Sequence, residues 1–171
     1  MMTRPLPERI ERLLLTGFGL GLIPGLRGTY GTLLGIPLAF MVAHVSLAVS
    51  PWLAWGLVAA LLPPAVRLCD DCEALFGRTD PGCVVLDEIV AFPLCFAGLS
   101  GELCGPGGWI LVLAGFVAFR IFDMAKPWPI GRLQALPRGL GVVVDDVAAA
   151  LAACVFLHCL ELSDEVHRLF Q

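Results

Sequence analysis

Six carboxylates sit in mostly apolar company in three short segments of the chain. Asp80-Pro81-Gly82-Cys83-Val84-Val85-Leu86-Asp87-Glu88 turns at Pro81-Gly82 and then runs into two adjacent acids, beyond which the sequence is apolar. An Asp-Glu pair suits a helix N-terminus through the macrodipole. Leading straight into an apolar stretch, though, unpaired carboxylates are costly and usually functional. In Arg120-Ile121-Phe122-Asp123-Met124-Ala125-Lys126, the spacing places Arg120, Asp123 and Lys126 along one helix face, and Pro127 then ends the helix. Val142-Val143-Val144-Asp145-Asp146 holds two adjacent aspartates with no Lys or Arg beside them. Like charges so close raise one another's pKa unless a cation intervenes, and a divalent metal is the natural candidate. Oxygen-only ligands favour Mg²⁺ or Mn²⁺ over Zn²⁺. None of His44, His158 and His167 lies in these segments, which argues against a zinc site and a phosphohistidine route.

A fourth segment is glycine-rich: Thr16-Gly17-Phe18-Gly19-Leu20-Gly21, then Gly28-Thr29-Tyr30-Gly31-Thr32. Glycines let backbone N–H groups approach an anion, and equally let a helix pack closely. The Gly-Lys-Ser/Thr ending of a Walker A loop is absent. Carboxylate-held Mg²⁺ beside Arg, Lys and glycine N–H groups is how proteins handle phosphate esters.

The elements that must position these residues belong to a membrane. Hydrophobic residues are 58% and charged residues 15% of the 171 positions, with a mean hydropathy of +0.85. A globule of this size buries only about 68–70% of its unfolded surface, too little to hide so apolar a chain. Disorder, a coiled coil, a secreted disulfide scaffold and an ordinary soluble enzyme are poor fits. The net charge of −4 offers nothing to nucleic acid. The 7 cysteines follow no framework spacing and read as free thiols. The N-terminus is too charged, and its apolar run Leu13 to Leu15 too short, for a signal peptide.

Gaps between charges give the topology. No Asp, Glu, Lys or Arg falls between Arg27 and Arg67, which predicts two spans of about 20 residues turning at Ser50-Pro51, with Trp52 and Trp55 as interfacial anchors. From Ile89 to Phe119 the one charge is Glu102, predicting a second hairpin with Glu102 at its outer turn and shorter arms. A last apolar run, Val147 to Leu160, extends back to Val142, leaving open whether it crosses fully. The expected fold is all-α: a polytopic helical membrane protein of four to five apolar helices, one domain over residues 1–171, with its polar motifs on one face. Arg4, Arg9, Arg12, Arg27, Arg67, Arg78, Arg120, Lys126, Arg132 and Arg138 fall on that face, and Arg168 on the other, so the positive-inside rule makes it cytoplasmic.

Cys72 to Arg78 matches the C-x5-R spacing of cysteine phosphatases, but Leu75 and Phe76 are poor cradle residues, and helix is the better reading. Cys69-Asp70-Asp71-Cys72 has no second ligand pair for a metal. A small transporter would place charges near the bilayer midplane, where residues 28–66 offer only His44. A head-group transferase is the nearer rival, without the D-G-x-x-A-R pattern.

Taken in order, these motifs resemble the phosphatidylglycerophosphatase A family of bacterial membrane enzymes, over roughly residues 14–155. The resemblance rests on Gly17-Phe18-Gly19-x-Gly21 with Gly28-Thr29-x-Gly31-Thr32, on Asp80-Pro81-Gly82 with Asp87-Glu88, on Phe119-Arg120-x-x-Asp123-x-x-Lys126-Pro127-Trp128-Pro129-Ile130, and on Gly139-x-Gly141 with Asp145-Asp146. Arg27 stands where the family usually has Pro, Ala91 where it has Gly, and Arg138 replaces the first of a Gly-Gly pair; no carboxylate is lost. The resemblance implies Mg²⁺-dependent hydrolysis of phosphatidylglycerophosphate to phosphatidylglycerol at the inner leaflet of the bacterial cytoplasmic membrane, within phospholipid synthesis. Asp87, Glu88, Asp145 and Asp146 are then expected to hold one or two Mg²⁺ ions and orient a water for in-line attack. Arg120 and Lys126 would neutralise phosphoryl charge, and Asp123 would position Lys126 or share the metal. Gly17, Gly19, Gly28, Thr29, Gly31, Thr32 and Asp80 are the expected substrate contacts. No DxDx signature supports an aspartyl-phosphate route.

Overall fold

The computed structural model describes residues 6–169, with side chains described through Glu161. Arg4 and the side chains of His167 and Arg168 therefore lie outside the described residues. Helices follow one another as α1 (Glu8–Leu15), α2 (Arg27–Val49), α3 (Leu53–Cys69), α4 (Cys72–Phe76), α5 (Leu86–Ala91), α6 (Ser100–Cys104), α7 (Gly108–Ala125), α8 (Ile130–Leu133) and α9 (Gly139–Leu169). Short 3₁₀ turns lie at Leu20–Leu22 and Phe92–Phe96, and no strand occurs among the described residues.

Three helices are long and apolar enough to cross a bilayer: α2, α7 and the Gly139–Glu161 part of α9. The 17-residue α3 is a fourth apolar helix, shorter than a standard span. The turn between α2 and α3 falls at Ser50-Pro51, where the charge gap places it, and the Ser46 hydroxyl closes it by donating to the carbonyl of Ser50 at 2.9 Å. The last helix is longer than its charge-free run suggests. Asp145 and Asp146 lie inside it rather than at its edge, one to two turns from Gly139.

The first arm of the expected second hairpin is not a single helix. It is α5, the Phe92–Phe96 3₁₀ turn, a turn at Gly98 (φ 93°) and α6. Pro93 removes a backbone donor, and Gly98 adopts a left-handed conformation that few other residues accept. An irregular backbone at membrane depth must be sheltered by protein, and here Ala91 through Ala97 are all buried. Phe92 sits at the centre, edge-to-face on Phe96 (5.3 Å) and Phe119 (5.7 Å), with Leu157 and Ala153 of α9 in the same core. α9 packs on α7, α3 and this broken segment, while α2 packs on α5.

The outer surface is apolar. Only 33% of the apolar stretch of α2 and 28% of that of α7 is buried inside the protein, so most of each faces outward. Met41, Leu113, Val117 and Val155 are among the large exposed side chains. Exposed Trp52 and Trp109 stand at one end of the bundle and exposed Trp128 at the other. This is the arrangement of two interfacial belts, separated by α7's length of about 27 Å.

Candidate active site

Three helix ends and the interior of a fourth helix converge at the end of the bundle opposite Glu102. Gly28 comes from the start of α2, Asp87 and Glu88 from the first turn of α5, Asp123 and Lys126 from the end of α7, and Asp145 and Asp146 from α9. With Asp80 and Gly82 from the preceding turn, they line a cavity of about 140 Å³. All seven residues expected to be catalytic thus gather in one place: six line the cavity, and Arg120 bonds two of them. Of the seven expected substrate contacts, the cavity wall includes Gly28 and Asp80.

The carboxylates divide into two classes. Arg120 donates to Glu88 Oε1 at 3.1 Å and to Asp123 Oδ2 at 2.8 Å. Lys126 donates to Asp145 and lies 3.9 Å from Asp123. Its backbone takes a left-handed conformation (φ 39°) at the C-cap of α7, directly before Pro127. That conformation costs roughly 1–2 kcal/mol in a non-glycine residue, and here it accompanies an ammonium turned back onto Asp145. Burial pulls the Lys126 ammonium down, but the hydrogen bond and charge of Asp145 outweigh it, leaving its pKa above that of a free lysine.

Asp87 and Asp146 have no cationic partner among the described residues. Both are buried. Asp87 accepts a bond from the Glu88 N–H at 3.0 Å, and the Asp146 N–H donates to its neighbour Asp145 at 3.1 Å. Burial pushes the Asp87 carboxyl up to about 7, against the opposing hydrogen bond from Glu88 N–H, and the charges of Asp80 and Asp145 add to the rise. Burial likewise carries Glu88 up to about 8, with the charge of Asp87 adding and that of Arg120 opposing. Glu88 Oε2 and Asp146 Oδ2 are buried and bond nothing. A hard divalent cation fits this donor set: carboxylate oxygens only, two of them orphaned, in a cavity with excess negative charge. Among the described residues no three acidic, imidazole or thiol groups already surround one point as a finished metal cage.

The glycines have an additional, steric reason. A Cβ on Gly28 would come within 2.3 Å of Glu88 Oε1, and one on Gly31 within 2.2 Å of Glu88 Oε2. One turn on, a Cβ on Gly35 would strike the Phe92 ring. The three form a groove on α2 into which α5 packs, bringing the Glu88–Arg120 pair against the helix. Gly17, at φ 55°, packs against Leu34, Val85 and Ile89, and Gly21 against the Cys83 carbonyl. Gly19 faces open space. The buried Thr32 hydroxyl donates to the carbonyl of Gly28 at 2.9 Å, and Thr29 is half-buried on the first turn of α2. The glycine-rich hairpin thus supports the Asp80–Glu88 segment, and Val85 N–H ties that segment to the Leu15 carbonyl at 2.9 Å.

Asp70 is a positioning residue that the sequence conceals inside a CxxC. It accepts a bond from Gly139 N–H at 3.0 Å and so caps α9 from outside. A Cβ on Gly139 would lie 2.3 Å from the Val66 carbonyl, so α9 begins in direct contact with the end of α3. Cys69 and Cys72 are buried in the second core cluster, and neither lines the cavity.

A family model described as Phosphatidylglycerophosphatase A matches residues 13–161. Phosphatidylglycerophosphatase A of Escherichia coli (strain K12) is 34% identical over 148 residues, which is 85% of this chain and 80% of that protein. The Haemophilus influenzae protein of the same name is 34% identical over 150 residues, 87% of each chain. A Bacteroides thetaiotaomicron protein named "Putative phosphatidylinositol-3-phosphatase" is 30% identical over 156 residues, 88% of this chain and 93% of its own. No solved structure matches.

Proposed function

Because this chain belongs to the phosphatidylglycerophosphatase A family, we propose that it removes the terminal phosphate from phosphatidylglycerophosphate, with Mg²⁺, at the cytoplasmic face of a bacterial inner membrane. The observation that carries the reading is the cavity itself. Asp87, Glu88, Asp123, Asp145 and Asp146 meet Lys126 and Arg120 at one end of an apolar bundle, between helix ends at membrane-edge depth.

Mg²⁺ held by Asp87, Glu88, Asp145 and Asp146 would supply Lewis-acid charge to the phosphoryl oxygens and lower the pKa of a water. Asp87 and Asp146 are the stronger candidates of the four, since Glu88 and Asp145 are already paired with Arg120 and Lys126. The Lys126 ammonium, held on the cavity wall by Asp145 and Asp123, would offset negative charge developing on the transferred group. Arg120 would position Glu88 and Asp123, which flank it at 3.1 and 2.8 Å. At the start of α2 the N–H groups beside Gly28 have no intrahelical acceptor, and with the helix dipole they favour an anion. The bundle behind the site, packed around Phe92 and Phe119, would exclude water from all but the mouth. The basic residues at this end support a cytoplasmic orientation.

The relative named for a phosphoinositide makes the phosphorylated lipid class the firmer part of the reading and the head group its finer part. Phosphate release from phosphatidylglycerophosphate in mixed micelles, with and without Mg²⁺, for wild type and Asp87→Asn, tests it. Release requiring both Mg²⁺ and Asp87 is expected. Release that survives a chelator would remove the metal from the reading, and folded wild type that releases nothing would remove the substrate.

A further inference from the structure

The cations at the site are already paired, Arg120 behind the cavity wall with Glu88 and Asp123, and Lys126 on the wall with Asp123 and Asp145. One further guanidinium stands at the mouth. Arg27 opens α2, immediately before the cavity-lining Gly28, and reaches over the Asp80–Gly82 turn: a Cβ on Gly82 would lie 3.6 Å from its Nη1. Its side chain is exposed and has no hydrogen bond or ion pair among the described residues.

We propose that Arg27 binds the second phosphate of the substrate, the bridging phosphodiester, while the terminal monoester occupies the cavity. The proposal rests on the lipid phosphatase reading above. Shape is the first argument. The cavity of about 140 Å³ is walled by side chains on the inside and opens beside Gly28 and Gly82, so a second phosphate on the same head group comes to the mouth, beside Arg27, when the terminal one is inside. Charge is the next. The cavity walls present six carboxylates and one lysine, so an anion at the lip needs a cation of its own. Depth is the last. Arg27 is the first residue of a helix long and apolar enough to cross a bilayer, the level of the lipid head groups. A guanidinium there is always charged and offers a bidentate fork to two phosphate oxygens.

The test compares wild type, Arg27→Gln and Arg27→Lys in micellar phosphatidylglycerophosphate hydrolysis. Inhibition is measured with two soluble probes: the deacylated head group with both phosphates, and glycerol 3-phosphate with only one. Arg27→Gln is expected to raise KM roughly tenfold with kcat within about twofold, and Arg27→Lys to retain most of the affinity. The two-phosphate probe should bind wild type more tightly than glycerol 3-phosphate and lose that advantage in Arg27→Gln. Equal weakening of both probes would overturn the proposal, because Arg27 would then act only as general surface charge. An unchanged KM would also overturn it. Recovery of affinity in Arg27→Gln/Asp80→Asn would do the same, by showing that Arg27 serves only to neutralise Asp80. Wild type inert toward the lipid would instead defeat the underlying phosphatase reading.

Discussion

In the proposed function Asp146 serves chemistry against stability. The residue is 4% exposed, and its buried Oδ2 has no partner. Burying such a group costs free energy that no contact in the metal-free protein returns. Asp146→Asn is therefore expected to raise the melting temperature of the metal-free protein by a few degrees, roughly 0.5–2 kcal/mol. The same change should lower phosphate release by about 10²–10³-fold and abolish any Mg²⁺-dependent rise in melting temperature. A thermal scan in detergent, with and without Mg²⁺, beside a phosphate assay, reads all three. A variant that is less stable yet fully active would show that Asp146 is a structural acid. Cys72 gives the opposite case: it is wholly buried and away from the cavity, so Cys72→Ala should keep activity within about twofold. Abolished turnover in folded Cys72→Ala would revive the cysteine-phosphatase spacing.

Two contacts between elements decide whether these residues meet at all. The first is the Gly28, Gly31, Gly35 groove on α2, which receives Glu88 of α5 and Phe92 just beyond it. Gly31→Ala is expected to force the two helices apart, lowering stability by about 1–3 kcal/mol and displacing the Glu88–Arg120 pair. Denaturation midpoint and activity should fall together, whereas Gly56→Ala, at a position open on α3, should change neither appreciably. The second contact is the Asp70 cap on α9. Asp70→Ala removes the acceptor for Gly139 N–H and is expected to cost about 1 kcal/mol, read as a lower melting temperature with KM little changed. In sequence both features had rival meanings. Closely spaced glycines suit a phosphate loop as well as a helix groove, and Asp70 sits inside a CxxC. Only the partner element distinguishes them, and it lies tens of residues away.

At the scale of the whole molecule the site lies at one end of the bundle and Glu102 at the other. Single cysteines at Arg132 and Glu102, in a background lacking the native thiols, should therefore react with an impermeant maleimide from opposite sides of the membrane. In intact cells Glu102→Cys is expected to label and Arg132→Cys only after permeabilisation. Labelling of both from one side would contradict the orientation proposed for the active site.

Apolar runs, the charges that punctuate them and the placement of the basic residues were enough to establish an all-helical membrane chain with its six carboxylates at one end. These are local properties: a charge-free stretch of about 20 residues crosses hydrocarbon whatever its neighbours. The α2–α3 turn and the gathering of Asp87, Glu88, Asp123, Lys126, Asp145 and Asp146 at one end follow from that alone. Tertiary structure decided what locality could not. It broke the arm after Glu88 at Pro93 and Gly98, since a surrounding bundle can shelter an irregular backbone that lipid cannot. It divided the carboxylates into those paired with Arg120 or Lys126 and those without a cationic partner among the described residues, because pairing depends on distances of a few ångströms between elements far apart in the chain.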